Sequence, residues 1–344
     1  MIKTFGLVLP LLFVGPAVGP QYLADSPASM AMAPLALTQS ASSLASFRMP
    51  TILKPAVKSA DCPTIPTIRL GPGTPPLRKV CASNGRILVN GGNAQGFEIS
   101  DVIAKNYGPV LRGVNVPGLQ VLRVSATGAR DDPKLGLGLV NVSNGIGHAV
   151  FRNLVWIGDP ASPAINGDDA WAAIALKGKD ANDLGTFEIR NFDFQNLIMA
   201  EGTHYRNVDG ISTEKGYTGT IADGRVMNAS DACLDLKGDV HVDNVYLAGC
   251  RQGLKIWHSQ NHGLIELGTN RFAGILGKGT PSETRTINID TLIVSGDPSI
   301  PLFRAEEGRV DLHIGRLIAK PNQVLRGSGS YAGSQVVVDR RINN

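Results

Sequence analysis

The sequence predicts an all-β solenoid, a single-stranded parallel β-helix of roughly ten to twelve coils. Three observations predict it. First, a four-residue phrase with apolar ends recurs as Phe151-Arg152-Asn153-Leu154, Ile189-Arg190-Asn191-Phe192, Val242-Asp243-Asn244-Val245, Leu264-Ile265-Glu266-Leu267, Ile289-Asp290-Thr291-Leu292 and Ile314-Gly315-Arg316-Leu317. From Val242 onward the copies start 22, 25 and 25 residues apart, and a looser copy, Ile221 to Val226, precedes them. Second, the runs between turns are short, as in Arg86–Asn90, Leu119–Val124, Leu137–Val142 and Ala172–Leu176. Third, the 344 residues include 40 glycines, about twice the usual share, placed with Asn, Asp and Pro at the ends of those runs. A period in the low twenties built from short strands marks a repeat that buries its apolar face only against its neighbours. The leucine-rich repeat frame is absent, and a propeller blade needs about 40 residues.

The elements follow in chain order. Residues 1–19 read as a secretory signal peptide: Lys3 supplies the charge, Phe5 to Val14 the apolar stretch, and Gly15, Ala17 and Gly19 the small residues. No later segment is apolar for long enough to span a membrane. Residues 20–59, rich in Ala, Ser and Pro, read as a flexible leader. Residues 60–344 form one β-helix domain, with an N-terminal cap around Cys62 and Cys81 and a short helix near Ser100 to Lys105. Four cysteines in an exported chain suggest two disulfides, and four allow three pairings. The sequence-local pairs Cys62–Cys81 and Cys233–Cys250 are favoured, each closing a short loop worth roughly 3 kcal/mol. Neither pair has the spacing of a zinc or redox site.

Stacking the repeats places Leu234, Leu236, Leu254, Ile256 and Ile275 inside the coil. Asp235, Lys237, Lys255, Trp257 and Lys278 then form a ladder on the outer wall, with Ser212 and Glu214 one coil earlier and Arg304 and Glu306 later. Asp209, Asp231, His258 and His262 fall in the turns beside it. This inventory suits a polysaccharide, most naturally an acidic one. Trp257 offers a face for a sugar ring; His258, His262, Lys278 and Arg304 offer hydrogen bonds and positive charge. Hydrolysis would use Asp231 with Asp209 or Asp235, at a separation of roughly 6.5–9.5 Å for inversion. β-Elimination would use Lys237 or Lys255 as base, with Glu214 and Asp235 as Ca²⁺ ligands beside the substrate carboxylate. The alternative is a non-catalytic β-helix that binds glycan or serves as a cell-surface structural module. The net charge of +4 is dispersed and aromatic residues are sparse, which argues against nucleic acid as partner.

Asn207-Val208-Asp209-Gly210, then Ser230-Asp231-Ala232-Cys233, then Cys250 resembles the pectin-active, pectate lyase-like superfamily, and the polygalacturonase-type glycoside hydrolases in particular. The resemblance implies a right-handed β-helix, Asp209 and Asp231 as active-site acids, and Cys233–Cys250 as a family-type disulfide. The chain departs from that pattern where a second aspartate would follow Asp231, a position held by Ala232, and in lacking the G-H-G and R-I-K segments.

Overall fold

A computed structural model describes residues 46–57, 67–83, 86–91, 96–105, 110–129, 138–163, 171–178, 183–200 and 207–344. The expected signal peptide, most of the leader and Cys62 lie outside the described residues. Among them the chain forms two sheets whose strands all run parallel. The shorter-stranded sheet holds β1 (Thr67–Leu70), β3 (Arg86–Asn90), β5 (Leu111–Val114), β7 (Val140–Ser143), β9 (Trp171–Lys177), β11 (Val208–Thr213), β13 (Ala232–Leu236), β15 (Gln252–Ile256), β17 (Ala273–Lys278) and β19 (Phe303–Glu306). The longer-stranded sheet holds β2 (Leu77–Ser83), β4 (Glu98–Lys105), β6 (Gln120–Ala129), β8 (Gly147–Gly158), β10 (Gly185–Leu197), β12 (Tyr217–Ala229), β14 (Asp239–Ala248), β16 (Gln260–Leu267), β18 (Arg285–Val294), β20 (Val310–Ala319) and β21 (Val336–Asn343). Up to β20 the chain alternates between sheets at each step, so successive odd and even strands make one coil. Ten such coils and a closing strand form the expected parallel β-helix.

The recurring phrase is the corner inside each long strand. In a straight strand, residues three apart face opposite sides. From β4 to β14 the third residue of the phrase has positive φ: Asp101 56°, Arg123 56°, Asn153 59°, Asn191 56°, Asp223 59° and Asn244 48°; the later copies, with Thr291 and Arg316 there, do not. That turn brings both apolar ends inward, and Phe151, Leu154, Ile189, Phe192, Val242 and Val245 are fully buried. Asn and Asp tolerate this conformation because their short polar side chains compensate locally. Register carries the phrase into earlier coils, as Leu77/Val80, Ile99/Val102 and Val121/Val124.

Three expectations change. Ser100 to Lys105 belongs to strand β4, because Val102 and Ala104 are needed in the apolar stack. The second apolar end of the Ile221 copy is replaced by Gly224, paired with Val245. A Cβ there would lie 2.5 Å from the Phe192 ring, so glycine makes room for that side chain. The copy at Leu264 is shifted: His262 pairs with Ile289, and Ile265 with Leu292, so His262 takes the inner apolar position.

The part of the leader that is described is docked, not free. Residues 46–57 cross the coils of the long sheet, using the corner side chains as a rail. The Ala56 N–H donates to Asp101 Oδ1 (2.9 Å), Leu53 N–H to Asn153 Oδ1 (3.0 Å) and Arg48 N–H to Asn244 Oδ1 (3.4 Å). Phe47 stacks on Tyr246 with ring centroids 5.9 Å apart. At the far end, Arg341 of β21 pairs with inward-facing Leu317, and its guanidinium donates to the carbonyls of Lys320 and Pro321. A charge at an apolar position closes the stack against addition of another strand.

Cys233 and Cys250 form a disulfide, both fully buried within the coil. Cys81 is also disulfide-bonded. A disulfide sealed in a core points to folding in an oxidising compartment.

The corner conformation predicts a sharp asymmetry at Asn191. Asn191→Gly is expected to leave stability nearly unchanged, whereas Asn191→Val should cost about 1–2 kcal/mol, because a β-branched residue resists positive φ. Urea unfolding of both variants checks this; equal stabilities would contradict it.

Candidate functional site

The site is assembled by register between short strands. Ile211 pairs with Leu234, Leu234 with Leu254, Leu254 with Ile275 and Ile275 with Phe303, forming the inner stack. The adjacent outer column reads Ser212, Asp235, Lys255, Leu276 and Arg304. At or just past the strand ends, Glu214, Lys237, Trp257 and Lys278 form a second polar column. Residues 20 to 28 apart thereby become neighbours about 4.8 Å apart.

At the centre, the Lys255 ammonium lies 3.3 Å from Asp231 Oδ2 and 3.1 Å from Asp235 Oδ2. The two carboxylates it bridges are therefore within about 6.4 Å of each other, the sum of those contacts. Arg251 approaches Asp231 at 3.7 Å, and the Trp257 indole N–H donates to Asp235 Oδ1 at 2.6 Å. Asp209 accepts the Ala232 N–H at 2.9 Å through Oδ1, while its buried Oδ2 has no hydrogen-bond partner. Burial, then the charges of Asp235 and Asp231, push the Asp209 carboxyl well above the usual carboxylate range, against the pull of Lys255. The neutral acid is the favoured form there. Asp209 and Asp231 are wholly buried, and Asp235 and Lys255 nearly so.

Around this centre Lys237 and Trp257 are half-buried and Lys278 is buried. Lys237 donates to Glu214 at 2.6 Å; Lys278 donates to Glu306 at 2.8 Å and Glu307 at 2.6 Å. The ammonium groups of Lys237, Lys255 and Lys278 sit 5.7, 5.6 and 5.3 Å from the centroid of the half-buried Trp257 ring. The site thus gathers three amines on one indole above a set of buried carboxylates.

The structure brings together Asp209, Asp231, Asp235, Lys237, Lys255, Trp257 and Lys278, and it separates others. His262 is not on the wall; it is inside the coil, where Nδ1 accepts the Val242 N–H at 3.2 Å and Nε2 has no partner. Burial pushes its pKa down to about 3. His258 is half-buried beside Arg285, and burial followed by that charge lowers its pKa. Arg304 continues the outer column only beyond buried Leu276 and rests on Phe272, 4.4 Å from the ring centroid. An ammonium pairs with each of Glu214 and Asp235, and among the described residues no three His, Cys, Asp or Glu side chains group as metal ligands. The sequence reading also passed over Arg251 and Phe272. Their 21-residue separation, one coil, was the available signal, and the Phe272 N–H donates to the Arg251 carbonyl.

Comparison with protein-family models, with curated proteins and with solved structures gives no match to this chain. The fold and the side-chain geometry therefore carry the functional argument alone.

The buried imidazole predicts an acid limit on stability. A histidine whose folded pKa lies below its ordinary 6.5 binds fewer protons when folded, so stability is lost as pH falls from 6.5 toward 3. Asp209 has the opposite sign, since its folded pKa is raised. His262→Leu cancels only the first effect. Between pH 7.5 and pH 5 the wild type should lose about 2 kcal/mol relative to the variant, at ~1.4 kcal/mol per unit. Urea titrations at both pH values test this, and a constant gap would contradict it.

Proposed function

We propose that the protein is an exported, carbohydrate-active β-helix of the pectate lyase-like type, engaging an acidic polysaccharide along the outer wall of its shorter-stranded sheet. The observation that carries this reading is the half-buried Trp257 ring with three lysine ammonium groups around it. An indole packs against the apolar face of a sugar ring, and amines beside it attract the carboxylates of uronic acids. The core disulfide supports export.

Binding is better supported than cleavage. Elimination needs an unpaired, neutral amine as base, yet Lys255 is ion-paired to two carboxylates and Lys237 to Glu214. Hydrolysis has one observation in its favour: Asp209 is biased toward the acid form while Asp231 and Asp235 hold ion pairs, the division of labour that an acid–base pair requires. Against it, Asp209 and Asp231 are fully buried and offer a glycosidic oxygen no approach.

Incubation with pectate, alginate and bacterial exopolysaccharide separates these readings. The expected result is retention on the acidic polymers, weakened by salt, with no new reducing ends and no ultraviolet absorbance from unsaturated uronates. New reducing ends would establish the hydrolytic reading, and new absorbance the elimination reading. Absence of binding to every acidic polymer would sink the proposal. Trp257→Ala should bind about tenfold more weakly, roughly 1.4 kcal/mol, while unfolding at an unchanged urea concentration.

A further inference from the structure

The polar centre holds a nucleophile and a carboxyl group in contact without any ligand. Asp235 of β13 and Lys255 of β15 are register partners on adjacent strands, and the Lys255 ammonium lies 3.1 Å from Asp235 Oδ2. The other oxygen of that carboxylate, Oδ1, accepts the Trp257 indole N–H at 2.6 Å. Asp231 Oδ2 lies 3.3 Å from the same ammonium. Lys255 is 8 % exposed, Asp235 3 % and Asp231 not at all, so bulk water has little access to the reacting atoms.

A buried ion pair of this kind is seldom better for stability than an apolar replacement. Its parts are those of an amide-forming site. A lysine amine is a nucleophile, and a carboxyl carbon is an electrophile it can attack. A hydrogen-bond donor fixed on the carboxyl oxygen stabilises the charge that develops there. A second carboxylate beside the amine can carry the proton that the nitrogen must lose. Holding the partners in contact replaces an encounter in solution by an effective concentration on the order of 10⁵ M or more.

We propose that Lys255 and Asp235 condense into an intramolecular isopeptide bond, a covalent tie between two adjacent coils. The ammonium first passes one proton to Asp235 Oδ2, leaving a neutral amine beside a neutral acid. Neutral groups are penalised less by burial than ions are. The nitrogen then attacks Cγ of Asp235, and the carbonyl electron pair moves onto Oδ1, where the indole N–H stabilises it. Asp231 takes a second proton from the nitrogen and hands it to Oδ2. The C–O bond breaks and Oδ2 leaves as water, both of whose hydrogens come from the ammonium. The third stays on the amide nitrogen, and Asp231 ends as it began. Unlike elimination, this step needs no amine open to a substrate, since Lys255 attacks a group it already touches.

The bond joins the same pair of coils as the Cys233–Cys250 disulfide, whose cysteines lie in β13 and just before β15. The two coils that carry the polar centre are thereby tied twice. Lys237 and Lys278 remain as amines beside the Trp257 ring, so the proposal stands or falls apart from the glycan reading.

Tryptic peptide mapping of the full chain, after reduction and alkylation of its disulfides, tests this by mass spectrometry. Trypsin does not cut after an acylated lysine. The expected product joins residues 226–237 to residues 252–271, uncut at Lys255 and lighter by one water than the two peptides summed. Fragmentation should place the link on Asp235. Lys255→Arg and Asp235→Ala should lose the product. Asp231→Ala, shown folded by circular dichroism, should lose most of it, because the nitrogen has lost its proton carrier. Recovery of residues 226–237 and 252–255 as separate peptides, with no linked product from the wild type, overturns the proposal whatever the variants do. A link to Asp231 instead overturns the roles given to the two aspartates, and full linkage in folded Asp231→Ala overturns the proton carrier.

Discussion

Every neighbour relationship in this protein depends on one constraint: two apolar side chains three residues apart must both face into the coil. In β4 to β14 the positive-φ corner at Asp101, Arg123, Asn153, Asn191, Asp223 and Asn244 satisfies it, whereas in β18 and β20 Thr291 and Arg316 hold the same position without positive φ and the apolar ends are still buried. Once both ends of the phrase are buried, a slip of one residue would expose them, so each coil is locked against the next. The backbone ladders add little choice of register, since any parallel alignment would satisfy them. The apolar stack is what selects one.

The polar chemistry inherits that register. Asp235, Lys255 and Trp257 meet because Leu234, Leu254 and Ile256 are fixed beneath them. Burying an ammonium with two carboxylates is costly unless the geometry is good, and such groups seldom raise stability over an apolar replacement. The same corner residues serve a second purpose outside, where Asp101, Asn153 and Asn244 hold the strap of residues 46–57 against the coils.

The sequence made much of this legible, because apolar spacing is a local signal. The stacks Leu234–Leu254–Ile275 and the columns Asp235–Lys255 and Glu214–Lys237–Trp257–Lys278 follow from spacing alone, and the structure has them. It was misleading where one polar residue entered the stack. His262 occupies an inner position, so the apolar pair Leu264 and Leu267 mimicked a copy two residues out of register. The corner phrase is not legible in the first coils, because Lys79, Asp101 and Arg123 do not announce a corner as Asn does. The pairing of each amine with a carboxylate, and the depth at which Asp209 and Asp231 lie, were beyond spacing arguments. They depend on side-chain direction and on what covers the strands.

A double-mutant cycle between Asp235 and Lys255 tests the central claim most directly, because these residues touch only if the coils stack in this register. Asp235→Asn, Lys255→Met and the double variant, each unfolded in urea, give the coupling between positions 20 residues apart. The account predicts a coupling above about 1 kcal/mol, as for contacting charges in one network. Additivity within about 0.5 kcal/mol, the behaviour of distant sites, would contradict it.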